Sequence, residues 1–194
     1  MSQFRVLSAG TLDAGVGIQR PHQDLPSKVT LDSPASTIMT DLTRVTAESV
    51  TANIPIDEAE QQMIASGVRL LFVTNPMNHV IGIITSKDLS NERILRVVND
   101  THTPRKELSV RDIMTPQHRI DVLEMADVST ASVGDIVSTL KRMGRQHALV
   151  VDRDPQGAQT IRGLLSTTQI GRQLGEAIDT KDVAGSFAEL ARVS

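Results

Sequence analysis

The sequence predicts an α/β fold built from one helix–strand–strand–helix unit that occurs twice. Four blocks recur in the same order in the two halves of the 194 residues. Within each block the apolar spacing passes from the helical period to strand-length runs. Composition bounds the class: 39% hydrophobic and 22% charged residues describe an ordinary globular chain, long enough to bury a core. Phe4, Phe72 and Phe187 are the only aromatics, so that core is aliphatic.

The first block is Ser36-Thr37-Ile38-Met39-Thr40, matched by Arg111-Asp112-Ile113-Met114-Thr115. The second is a helix. In copy one Ile56, Ala59, Met63 and Ile64 make one apolar face, Asp57 supplies a cap or first-turn acid, and Gly67 a left-handed stop. In copy two Val133, Ile136, Val137, Leu140 and Met143 trace the same face between Ser132 and Gly144. The third block is a short continuous apolar run, as buried strands are: residues 70–74 and 147–151. Turns at 75–78 and 152–157 lead to the fourth, residues 81–85 and 161–166. Each fourth block runs into a corner with capping-box spacing, Thr85 to Asp88 in copy one and Ser166 to Gln169 in copy two. Ser90-Asn91 is expected to interrupt the helix that follows Asp88, and Gln169 is expected to cap as well as an acid.

These blocks divide the chain into an N-terminal arm (1–33), a first domain (34–98), a polar linker (99–107), a second domain (108–175) and a helical tail (176–194) with Val183, Phe187, Leu190 and Ala191 inward. The longer lead-in of copy two, residues 116–128, is expected to add a helical turn across its cleft.

Several function classes are excluded. Without Cys there are no disulfides, thiolate metal sites or cysteine nucleophiles. Missing rings remove aromatic stacking platforms for single-stranded nucleic acid, and a net charge of −3 with interspersed signs argues against nucleic-acid or anionic-membrane surfaces. Neither a signal-peptide core nor a membrane-length apolar run is seen, so a cytoplasmic protein without membrane insertion is expected. Asp152 to Gly157 mimics a calcium loop, but Gly163 stands where a bidentate Glu is required. His22, His79, His102 and His118 fall in irregular, surface-like segments. Hydrolase, metalloprotease and P-loop motifs are missing, so no catalytic residues and no metal ligands are assigned and an enzyme is not expected.

The repeat resembles a tandem cystathionine-β-synthase (CBS) domain pair, the Bateman module, of a stand-alone CBS-domain protein. The resemblance rests on Ile38-Met39-Thr40, on Ile113-Met114-Thr115, and on Gly82-Ile83-Ile84-Thr85-Ser86-Lys87-Asp88-Leu89, and it spans about residues 34–175. It implies two β-α-β-β-α repeats packed with pseudo-two-fold symmetry, two clefts between them, and a homodimer. Those clefts often take AMP, ADP, ATP or S-adenosylmethionine as regulatory ligands, with no required cofactor, and signal to a partner protein that the sequence does not identify.

Carried over position by position, the resemblance assigns ribose binding to Asp88 and a ribose- or phosphate-side hydroxyl to Thr85. Arg69, Lys87, Arg145 and His147 are candidate phosphate-side groups, and adenine would lie among Ile38, Ile54 or Ile84. The chemistry is apt, since an ionised carboxylate accepts from two vicinal hydroxyls. Gln169 stands where copy two would need Asp; losing the charge-assisted bond weakens such a site by about 1–3 kcal/mol. One competent cleft per chain is therefore expected. The competing reading is a ligand-free dimerisation or scaffold module with closed clefts, and a third is magnesium- or transporter-linked regulation.

Overall fold

The structure, a computed structural model, describes residues 7–19 and 21–180. The expected tail helix falls mostly outside these; residues 176–180 form no helix. Copy one comprises β2 (Ser49–Thr51), α1 (Ile56–Ser66), β3 (Leu70–Thr74), β4 (Val80–Thr85) and α2 (Asn91–Thr101). Copy two comprises β6 (Val122–Glu124), α4 (Met125–Thr130), α5 (Val133–Met143), β7 (His147–Arg153), β8 (Gln159–Ser166) and α6 (Thr167–Leu174). Each copy is thus β-α-β-β-α, with one extra helix in the second.

Local chemistry explains the boundaries. α1 carries Asp57 and Glu58 in its first turn, where carboxylates meet unpaired amides, and ends on Gly67 at φ 67°. α5 starts in a reciprocal Ser132–Asp135 capping box and ends on Gly144 at φ 61°. The strands read as continuous apolar runs because both faces are covered. Leu71, Val73 and Ile84 face Ile56, Ala59 and Met63 of α1. On the opposite face, Leu70, Phe72 and Ile83 meet Leu149 in the layer between the two sheets.

Two short lead-in segments cross between the halves. β1 (Thr40–Asp41) precedes copy one but pairs antiparallel with β8, giving the order β1-β8-β7-β6. β5 (Thr115–Pro116) precedes copy two but pairs with β4, giving β2-β3-β4-β5. Side chains follow the strands. Ala35, Ile38 and Met39 are buried in the core of copy two, while Leu108, Val110 and Ile113, the last two on α3 (Val110–Ile113), are buried in that of copy one. The packing units therefore cut across residues 34–98 and 108–175, and each copy needs the other's lead-in to close its core. The polar stretch 99–107 holds the end of α2 and a 3-10 turn, Arg105–Glu107.

Several expectations are corrected. Ile64 is 68% exposed: at about 100° per residue it lies a quarter-turn beyond Met63, off the buried face. The Thr85–Asp88 box forms, but it closes a turn; Ser90 is extended and α2 starts after it. In copy two the box is lost. Ser166 makes no side-chain cap bond, and the Gln169 carbonyl instead accepts from Arg172 at 3.5 Å. The extra helix α4 exists, but it packs on β7 and on residues 35–37 instead of crossing a cleft. Residues 23–33 are pinned to the second unit: Gln23 donates to the Met39 carbonyl (3.0 Å) and accepts from Asp41 N–H (2.8 Å), while Val29 N–H donates to the Gln173 carbonyl. Asp152 and Arg153 extend β7 past the expected Val151, and the turn lies at 154–158, with Gly157 at φ 85° and Asp154 accepting from the Gln156 and Ala158 amides.

Candidate functional site

The corner after β4 builds the site from the chain outward. Thr85 ends the strand, and the Asp88 Oδ2 accepts from its backbone N–H (2.9 Å) and its hydroxyl (2.7 Å). Two local donors thus fix a carboxylate that is almost wholly buried, at 6% exposure. Its other oxygen, Oδ1, lies 3.2 Å from Arg93 Nη1 on α2. The second guanidinium nitrogen of Arg93 donates to the Ile113 carbonyl at 3.1 Å, so this side chain joins the corner to the crossing lead-in.

Facing this corner is the start of β7. A cleft of about 480 Å³ lies between them, with Ile83 and Leu149 among its apolar lining and Thr85, Lys87, Asp88, Arg145 and His147 among its polar lining. Five of the six residues expected from sequence are therefore brought together, from both copies. Arg145 is held by Asp121 at 2.9 Å. His147 is half-buried; burial lowers its pKa, the Asp88 carboxylate opposes that, and the Arg69 charge adds to it. Neutral imidazole is favoured, and an arriving anion would favour the proton.

Arg69 does not line this cleft. It borders a separate depression with Glu60, Gly67 and Ser86, its carbonyl accepting from Ser86 N–H. Nor do the expected adenine contacts hold: Ile38 and Ile84 are fully buried in opposite cores, and Ile54 packs against the core of copy one. Ile83, Ile120, Val97 and Leu149 take the cleft-lining positions instead. Sequence reasoning missed Arg93, Arg96, Arg119 and Asp100, all of which line the cleft. A signal existed on α2, where residues 93, 96, 97 and 100 fall at i, i+3, i+4 and i+7, one helical face. Arg119 carried none, because only the fold brings it there.

The equivalent corner of copy two differs in each respect. Leu70 pairs with Thr85 as His147 pairs with Ser166, so Leu70 stands at the place of His147 and Val68 at that of Arg145. With Gln169 in the place of Asp88, this corner offers neither the buried carboxylate nor the basic pair of Arg145 and His147. Among the described residues no metal-binding cluster occurs, and no helix is long and apolar enough to cross a membrane.

The comparisons agree with this architecture. A family model for the CBS domain matches residues 35–95. Among curated proteins none matches the sequence. A solved structure of a conserved protein from Pyrococcus horikoshii is 20% identical and superposes with a TM-score of 0.52, over 73% of this chain and 92% of that one. A conserved CBS domain protein from Thermoplasma acidophilum is 18% identical, with a TM-score of 0.51 over 77% of each chain. At these identities the likeness is one of fold. Residues 35–95 are a CBS domain, and the two copies together give the chain the fold of a CBS-domain pair.

Proposed function

We propose that the chain is a regulatory module that binds an adenine ribonucleotide in the cleft between Asp88 and His147 and signals its occupancy to a partner protein. One observation carries the reading: a buried, pre-oriented carboxylate from copy one faces a basic group of side chains from copy two across an apolar floor. A ribose can present two hydroxyl donors to Asp88, and a phosphate can meet Lys87 and Arg145. Adenine lies against aliphatic side chains, because no Phe, Tyr or Trp lines the cleft. Because the walls come from different copies, a ligand that bridges them biases their packing, in proportion to its difference in affinity between the two arrangements. No catalytic step is assigned to the site, and the module is proposed to work as a homodimer in the cytoplasm.

For the second corner a structural role is favoured, on the specific ground that Gln169, Val68 and Leu70 replace the groups that equip the first. Whole-protein stability tests the reading. Saturating AMP, ADP, ATP or S-adenosylmethionine should raise the melting temperature, since ligand at a hundred times its Kd stabilises by about 2.7 kcal/mol. If none does so at millimolar concentration, the sensor reading fails and the scaffold reading replaces it. If binding is unchanged in Asp88→Ala, the site is elsewhere.

A further inference from the structure

Behind each corner, on the side away from the cleft, lies a depression that the two copies treat differently. Ser86 N–H donates to the Arg69 carbonyl at 3.0 Å, as Thr167 N–H donates to the Gln146 carbonyl at 2.9 Å, so the two depressions correspond. In copy two the chain covers its own. Residues 176–180 leave α6 at Gly175 and cross the depression as a non-helical strap toward the end of α5. The Glu176 carbonyl oxygen lies 2.6 Å from where a Cβ on Gly171 would stand, an approach that only glycine admits. At the far end the Thr180 carbonyl lies 3.9 Å from the same point on Gly144, while Ile178 packs on the core of copy two.

Copy one has no such strap. Counted from the corner, Ser90 stands where copy two has Gly171, and the chain turns there into α2, which lines the inter-copy cleft instead. A depression of about 530 Å³ among Met63, Ile64, Val68, Arg69, Ser86 and Leu89 is left open. Two of its side chains suit a covered surface. Ile64 is 68% exposed, at the position where copy two, counted back from Gly144, carries Lys141. Arg69 is exposed and makes no ion pair or side-chain hydrogen bond among the described residues, whereas the neighbouring Glu60 is met by Arg105 at 3.7 Å.

We infer that this open depression is a docking groove for a partner protein, taking a non-helical segment in which an acidic side chain precedes aliphatic ones. The strap of copy two, Glu176-Ala177-Ile178, shows the kind of chain that fills such a depression. With Arg69 in the place of Gln146 the groove adds a free cation, so a carboxylate gains a charge-assisted bond there while an aliphatic side chain covers Ile64. One turn serves both surfaces: Thr85, Lys87 and Asp88 line the cleft, and Ser86 and Leu89 line the groove. The inference deepens the signalling part of the proposed function and rests on it for its purpose, but the groove itself requires no nucleotide.

A fluorescein-labelled peptide of residues 175–180, Gly-Glu-Ala-Ile-Asp-Thr, tests the inference when it is added to the full chain without nucleotide and followed by fluorescence polarisation. It should bind once per chain. A peptide with Lys in place of its Glu and Asp should bind at least about tenfold more weakly, the size of one charge-assisted hydrogen bond. Arg69→Glu and Ile64→Asp should each weaken the native peptide as much, and Arg69→Glu should restore binding of the lysine peptide. Both positions are exposed, and a circular-dichroism melt confirms that the variants fold. No binding at millimolar peptide, or an affinity unmoved in both variants, overturns the inference and leaves the nucleotide reading standing. Peptide binding by a chain that no adenine ligand stabilises upholds the groove and removes the sensor. If Gln146→Glu weakens the peptide and Arg69→Glu does not, the peptide has displaced the strap of copy two and the inference falls. If sedimentation shows an assembly that Ile64→Asp and the peptide both dissociate, a second copy fills the groove, and the assignment to a partner protein is overturned.

Discussion

The Sδ of Met114 lies 2.9 Å from the point where a Cβ on Gly82 would stand, and the Thr115 carbonyl oxygen lies 2.7 Å from it. Gly163 repeats the relationship with Met39 Sδ (2.7 Å) and the Thr40 carbonyl (2.9 Å). The glycine that opens each corner motif and the methionine of each lead-in are thus two halves of one contact. The side chain that glycine lacks makes room for the crossing segment to lie on the strand.

Gly82→Ala should therefore destabilise the protein by about 1–3 kcal/mol, as overpacking does, because the obstructing atoms include backbone and cannot rotate away. Gly163→Ala should act alike. Urea denaturation reads both. Gly10, with nothing within 4 Å of its would-be Cβ, is the control and should change little. If Gly82→Ala melts like the control, the crossing segment is not seated as described.

How much of this was visible beforehand follows from the range of each interaction. The repeat, the buried strands and the glycine stops at 67 and 144 rest on neighbours within a few residues, and they were legible. The seating of Met114 on Gly82 was not, although both lie in motifs that stood out, because a duplicated pattern does not say whose strand pairs with whose. Asp88 was legible through its spacing from Thr85. Its partner Arg93 was obscured by the break at Ser90, which resets the helical phase. Arg69 shows the converse error: next to the strand start in sequence, it borders a separate depression and does not line the cleft with Arg145 and His147.

Asp41 and Arg162 span the chain in a bidentate pair, Nε to Oδ1 and Nη2 to Oδ2 both at 3.0 Å, which ties β1 to β8. The Arg162 hydrogen bonds hold the Asp41 carboxyl well below the usual carboxylate range, against the opposing effect of burial. A depressed carboxylate contributes stability that is complete above its unfolded value, about 3.9, and is lost as pH falls toward the folded one. Asp41→Asn should cost about 1–3 kcal/mol at neutral pH and flatten the decline of stability below about pH 4. Chemical denaturation at a series of acid pH values checks this. A decline as steep as the wild type's assigns the acid sensitivity to other groups.

His147 predicts a separate pH dependence. Its folded pKa is depressed, chiefly by burial, so between that value and the unfolded value of about 6.5 the unfolded chain holds the extra proton. Stability should then be complete above about pH 6.5 and fall as pH drops through that window. His147→Gln should remove that slope. Phosphate in the cleft reverses the bias, since an anion favours imidazolium, and AMP should therefore bind more tightly at pH 6 than at pH 8, with proton uptake measurable as a buffer-dependent enthalpy. Titration of the imidazole C–H resonance by NMR, with and without AMP, reads both effects on one residue. A resonance that titrates at the ordinary histidine value in both states refutes the assignment.

Gln169→Asp separates the capping role of the corner motif from its binding role. In copy two Ser166 lacks a side-chain cap bond, and α6 begins with no acid in its first turn. An aspartate at this third helical position can accept from the Ser166 N–H and hydroxyl as Asp88 does from Thr85. It also places a negative charge at the positive end of α6, which should stabilise the protein by about 0.5–1 kcal/mol. The substitution should not create a second binding event, because Val68 and Leu70 still stand where the first cleft has Arg145 and His147. Calorimetry of Gln169→Asp with AMP should return the wild-type stoichiometry, together with a raised melting temperature in the absence of ligand. A doubled stoichiometry would show that the carboxylate alone makes a site, and the weight placed on the basic wall of the first cleft would be misplaced.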